Sequence, residues 1–162
     1  MNYFELPDEA ATAALGAALV TLMPRCRIVH LSGELGAGKT ALVRGFLRAA
    51  GVEGRVRSPT FTLVETYETD IGPVYHFDLY RLEDPEELEF LGVRDFEAAV
   101  SAGGCMFFEW PERGDGVIPP ADLEIAFAFR SEGRAVSVAA SADGLVDALV
   151  GRPSDFPGKL PE

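Results

Sequence analysis

Arg27-Ile28-Val29-His30-Leu31-Ser32-Gly33-Glu34-Leu35-Gly36-Ala37-Gly38-Lys39-Thr40-Ala41-Leu42-Val43-Arg44-Gly45-Phe46-Leu47-Arg48 carries three signals in succession. Its first five residues are β-branched and apolar enough for a short buried strand. Gly33 to Thr40 reads G-x-x-x-x-G-K-T, a phosphate-binding loop pattern. Leu42, Val43, Phe46 and Leu47 then recur at helical spacing, and Gly51 supplies a stop. The glycines let successive backbone N–H groups turn inward toward an anion. A helix starting near Lys39 adds the positive end of its dipole. Lys39 is suited to reach β- and γ-phosphates, and the Thr40 hydroxyl to ligand Mg2+. The only other lysine is Lys159. General positive charge here is carried by arginine, so Lys39 stands apart from the background.

The 162 residues suffice for one domain with a sizeable core. We expect residues 1–150 to form that domain. Residues 151–162, with Pro153, Pro157 and Pro161, should form a flexible tail. No apolar run is long enough to span a bilayer, and the acidic N-terminus lacks a signal peptide's basic start. Cys26 and Cys105 match no motif spacing. Together these predict a soluble cytoplasmic protein with reduced thiols. The net charge of −12 argues against tight, direct nucleic-acid binding through a broad basic face. It leaves room for work on nucleic acid through a partner. Arg44, Arg48, Arg55 and Arg57 cluster after the loop, and Glu83, Asp84, Glu86, Glu87, Glu89, Asp95 and Glu97 crowd a later stretch. Each cluster reads equally as a solvated face or a partner surface.

Outward from the loop, Asp8 to Met23 predicts a first helix capped by Asp8, with Leu15, Leu19 and Leu22 as its stripe. Residues 60–78 predict an antiparallel hairpin: strand Thr60 to Tyr67, a turn at Thr69 to Pro73, strand Val74 to Asp78. Ser58-Pro59-Thr60-Phe61 before it reads either as an ordinary loop or as a moving loop beside the γ-phosphate. His76 lies on the same strand face as Asp78. Asp84-Pro85-Glu86-Glu87 starts one short helix, and Asp95 to Ser101 forms another. Cys105-Met106-Phe107-Phe108-Glu109 predicts a buried strand delivering a carboxylate beside Mg2+. Trp110 either flanks the bound molecule or closes the core. Strands Leu123 to Arg130 and Ala135 to Ala140 form a second hairpin, and a weak helix follows over Ala142 to Val150. The only asparagine is Asn2 and there is no glutamine. A guanine-reading N-K-x-D motif and a water-positioning glutamine are therefore both absent. Any attacking water must be oriented by Asp78, Glu109, His76, a threonine or a partner.

Taken together in this order, Gly33 to Thr40, Ser58-Pro59-Thr60-Phe61, His76-Phe77-Asp78-Leu79-Tyr80-Arg81 and Glu109-Trp110 resemble the TsaE (YjeE) family over roughly Leu6 to Ala140. These are ATPases of bacterial tRNA threonylcarbamoyladenosine biosynthesis. The resemblance implies an α/β fold: a single P-loop NTPase-like domain with a mixed central sheet flanked by helices. It implies ATP and Mg2+ as cofactors. Nucleotide contacts would come from Thr12, Gly33, Glu34, Leu35, Gly36, Ala37, Gly38, Lys39 and Thr40. Thr40 and Glu109 would hold Mg2+, Asp78 and Lys39 would be catalytic, and Ser58 to Phe61 would be a switch-like loop. It implies partners of the TsaD and TsaB type from the threonylcarbamoyltransferase complex. The chain would then touch tRNA only indirectly and serve modification of the adenosine beside the anticodon in tRNAs reading codons that begin with A. Two other classes remain open at this point: a small-molecule P-loop kinase, and a nucleotide sensor that binds partners without hydrolysis.

Overall fold

The computed structural model describes residues 2–150, and the expected tail at 151–162 lies outside them. In chain order the elements are β1 (Asn2–Leu6), α1 (Glu9–Leu19), β2 (Ile28–Ser32), α2 (Lys39–Ala49), β3 (Val64–Thr69), β4 (Gly72–Asp78), α3 (Glu86–Leu91), α4 (Val93–Val100), β5 (Cys105–Glu109), β6 (Leu123–Phe129), β7 (Arg134–Ala140) and α5 (Leu145–Val150). Among the described residues no helix is long and apolar enough to cross a membrane.

The seven strands form one mixed sheet in the order β1-β7-β6-β2-β5-β4-β3. Strands β6, β2, β5 and β4 run parallel, and an antiparallel neighbour is added at each side. Parallel strands covered on both faces should be continuously apolar, and all five residues of β5 are buried. Its side chains alternate. Cys105 and Phe107 join the core beneath α1 and α2, while Met106 and Phe108 join the core on the other face with Leu88 and Val100. This is the predicted architecture, an α/β sheet between helices. Both thiols are buried and free, and burial pushes the Cys26 thiol up to about 12.

Several boundaries differ from the sequence reading, each for a local reason. The acidic N-terminus is a strand, because Phe4 and Leu6 alternate with Tyr3 and Glu5 and pair antiparallel with β7. The first helix stops at Leu19 and continues as one tighter 3-10 turn over Val20–Leu22. Asp8 caps it as expected, accepting from the Ala11 N–H at 2.8 Å. Thr60 to Leu63 are a turn, so β3 begins at Val64. The second short helix spans Val93–Val100, because Gly92 at φ 88° ends α3 and α4 starts directly after it. At the start of α3, Asp84 accepts from the Glu86 N–H and Glu87 accepts from the Asp84 N–H, the expected reciprocal cap.

Helices α1 and α2 touch almost backbone to backbone, and glycines permit it. A Cβ on Gly16 would lie 2.0 Å from the Leu42 carbonyl oxygen, and one on Gly45 would lie 2.3 Å from that of Ala13. The close approach fixes α2, and hence the loop before it, against α1. Removing a mid-helix glycine gains about 1 kcal/mol of helix propensity, but a backbone oxygen cannot move aside as a side chain can. Gly16→Val is therefore expected to destabilise by on the order of 3 kcal/mol, read as a lower urea midpoint at unchanged slope.

Candidate functional site

Three parallel strands end together. β2 runs into the Gly33–Thr40 loop, β5 ends at Glu109, and β4 ends at Asp78. The parallel register sets Asp78 opposite Glu109 and Leu31 opposite Glu109. Carboxyl ends of parallel strands are where α/β sheets bind ligands, because the loops leave the sheet there and helix N-termini face the opening. A pocket of about 580 Å3 lies at this edge.

The loop supplies backbone donors. Helix α2 starts at Lys39 without a side-chain cap, its preceding residue Gly38 being left-handed at φ 114°. The first N–H groups of any helix lack intrahelical partners, so those of α2 face the pocket available to an anion. A Cβ at Gly38 would sit 3.4 Å from Phe127 and 3.5 Å from Thr12, at a φ that side-chain-bearing residues rarely adopt.

Lys39 is only 4% exposed. Its ammonium donates to the Gly33 carbonyl and to the Glu34 carbonyl and lies 4.5 Å from the centre of the Trp110 ring. Two of its three donors are thus used and one is left. Burial pulls its pKa below the ordinary lysine value, and the nearby Glu109, Asp78 and Glu112 carboxylates push the other way.

Glu109 is 3% exposed. Its carboxylate accepts from the Thr40 hydroxyl at 3.1 and 3.3 Å and from His76 Nε2 at 2.6 Å. Asp78 accepts from the Thr60 hydroxyl at 3.1 Å and from the Tyr80 N–H at 3.0 Å. Ser58 Oγ lies 2.8 Å from Thr60 Oγ1, so the Ser58–Phe61 loop is tied to Asp78 through Thr60. Phe61 points outward, 83% exposed, with the Arg81 guanidinium 4.3 Å above its ring. Trp110 lines the pocket and also packs against the core on the other face of the sheet.

The pocket wall includes Thr12, Leu35, Gly36, Ala37, Gly38, Lys39, Thr40, Asp78 and Glu109, so most of the residues singled out from the sequence converge. Gly33 and Glu34 contribute through the carbonyls that hold Lys39. His76 does not converge on the opening. It is fully buried behind Glu109, so it cannot orient a water in the pocket.

Two parts of the wall were not anticipated. One is Leu6 to Glu9, at the β1–α1 junction. The other is Gly133 and Arg134, where the Arg134 guanidinium donates to the Gly36 carbonyl at 3.3 Å and lies 4.3 Å over Phe129. The alternation Phe4-Glu5-Leu6 was the available signal for the first; an arginine at the start of β7, 98 positions from its acceptor, offered none. Among the described residues no group of three or more His, Cys, Asp and Glu converges as a metal cage. One hydroxyl and one or two carboxylates beside a phosphate loop suit Mg2+, which keeps waters and takes phosphate oxygens to complete its shell.

A family described as "Threonylcarbamoyl adenosine biosynthesis protein TsaE" matches residues 6–136. A Haemophilus influenzae protein named tRNA threonylcarbamoyladenosine biosynthesis protein TsaE is 39% identical over 143 residues, covering 85% of this chain and 89% of that one. A Synechocystis protein of the same name is 43% identical over 119 residues, covering 70% of this chain and 71% of its own. The crystal structure of Bacillus subtilis YdiB superposes with a TM-score of 0.74 over 92% of this chain and 93% of that one; at 24% identity it bears on the fold.

Proposed function

The chain belongs to the TsaE family of threonylcarbamoyl adenosine biosynthesis proteins, and from that premise we propose that it is an ATP-binding, Mg2+-dependent ATPase acting in the threonylcarbamoyl modification of tRNA. The observation that carries the reading is the convergence at one sheet edge of uncapped α2 N–H groups, Lys39, Thr40, Glu109 and Asp78. Each group has a distinct task. The N–H groups and Lys39 bind the phosphates, Thr40 and Glu109 hold Mg2+, and Asp78 faces the γ-phosphate end. The cation neutralises charge that builds on the phosphate oxygens during transfer. Thr12, at the loop's flank, packs against the bound nucleotide.

The partner proposal follows from composition and from the loop. No glutamine exists to position water, and the Ser58–Phe61 loop reaches Asp78 from the surface while exposing Phe61. A partner protein of the TsaD or TsaB type, pressing on this loop, completes the site; tRNA is met through that partner, in the cytoplasm. The isolated chain is expected to turn over slowly and to accelerate by at least about tenfold in the complex. Phosphate release with and without the partners measures this. A high basal rate unchanged by them contradicts it and favours a self-sufficient enzyme, while no release under any condition favours a sensor. ATP is expected to bind better than GTP, since no N-K-x-D reader exists. For the role in the cell, depletion of the protein should remove threonylcarbamoyladenosine from tRNA digests, and an unchanged nucleoside profile overturns the reading.

A further inference from the structure

We infer that His76 is a positioning residue that holds Glu109 in the orientation from which it serves the metal; the inference rests on the Mg2+ reading above. The evidence is geometric. His76 and Glu109 come from adjacent parallel strands, β4 and β5, where His76 pairs in register with Phe107 and Asp78 with Glu109. Val74 lies in the core beneath α1 and α2, so strand alternation turns His76 and Asp78 to that same face. Cys105 and Phe107 place Glu109 on that face of β5 too. The two side chains therefore meet under the phosphate loop, Nε2 to Oε2 at 2.6 Å, with His76 fully buried.

A carboxylate only accepts, so Nε2 is the donor in this pair. Its Nδ1 is buried and has no hydrogen-bond partner among the described residues. An apolar ring would fill the same place without leaving a polar atom unsatisfied. The single bond to Glu109 is what a histidine adds there. That bond fixes one carboxylate oxygen, and the Thr40 hydroxyl fixes the group from the α2 side. Thr40, Glu109 and His76 thus form a line from the loop into the core. His76 never reaches the pocket and touches neither nucleotide nor metal. It acts by limiting how Glu109 can turn, the part that outer hydrogen bonds play around metal-ligating carboxylates.

The test uses the full chain and two variants. His76→Phe keeps an aromatic side chain and deletes the donor; His76→Gln places an amide N–H near the same point. ATP affinity is titrated with Mg2+ and with chelator, and thermal midpoints are recorded. For His76→Phe the gain in affinity on adding Mg2+ is expected to shrink by about 10–100-fold, with affinity in chelator unchanged. His76→Gln is expected to recover most of the gain. A His76→Phe protein with the wild-type Mg2+ gain overturns the inference. So does an equal loss with and without Mg2+ that glutamine does not rescue, since packing alone then explains the residue. A wild-type protein that binds ATP with no Mg2+ dependence overturns the metal reading itself.

Discussion

Lys39→Ala is expected to remain folded and to lose ATP-Mg2+ binding by about 10-fold to 100-fold. The range is that of one charge-assisted hydrogen bond to phosphate, from the one ammonium donor left free, at about 1.5–3 kcal/mol with tenfold per 1.4 kcal/mol. Stability should move little, because the contacts that dock α2 come from Leu42, Val43, Phe46 and Leu47, all fully buried. Lys39 itself is a buried cation whose desolvation is the dominant influence on its pKa, exceeding the help from Glu109, Asp78 and Glu112. Its removal relieves that desolvation but leaves the buried Glu109 and Asp78 carboxylates without a neighbouring cation, two effects of opposite sign on the melting temperature. Titration of ATP with Mg2+ measures affinity, and circular dichroism on the same samples measures the fold. Normal turnover by a folded Lys39→Ala protein would remove the phosphate-site assignment altogether.

What the chain disclosed about itself depended on how local each feature was. The β2–loop–α2 unit was legible because strand, glycine turn and helix are consecutive and each has its own periodicity. Asp78 and Glu109 were legible as strand ends, but their juxtaposition is a matter of register between β4 and β5, which no local pattern encodes. Thr60 was read as a strand residue from alternation. Its hydroxyl instead bonds Asp78, and Leu63 adopts a left-handed φ of 70° while its carbonyl accepts from the Asp78 N–H. A side chain satisfying a neighbouring strand's carboxylate overrode the local preference. His76 was placed on the correct face, yet its role depends on Glu109, 33 positions away. Arg134 was invisible for the same reason at longer range, since the first residue of β7 looks ordinary until the hairpin that carries it folds over Gly36.

The two carboxylates are expected to fail differently when removed, because they are anchored to different things. Glu109 is bound to Thr40 on the phosphate loop and to His76 in the core, both fixed parts of the ground state. Glu109→Ala should therefore weaken Mg2+-dependent ATP affinity, and turnover should fall with it. Asp78 is bound on one oxygen by Thr60, whose partner Ser58 belongs to the surface loop, and on the other by the Tyr80 N–H. Under the proposed function, its orientation is therefore set by the surface loop on which a partner would press. Asp78→Ala is expected to lower partner-stimulated turnover by about 10^2-fold or more, the range for a positioned proton acceptor, with a much smaller change in ATP affinity. An interaction used mainly in the transition state lowers turnover without a matching loss of ground-state binding. Alanine also leaves the Tyr80 N–H without its acceptor, so Asp78→Asn, which keeps a carbonyl oxygen there, is the necessary companion. If asparagine restores turnover, Asp78 serves only to hold the Tyr80 turn. If both variants lose affinity and turnover in equal proportion, Asp78 is a ground-state contact to metal or nucleotide. Loss of turnover in both variants with affinity retained is the outcome that places Asp78 at the reacting phosphate.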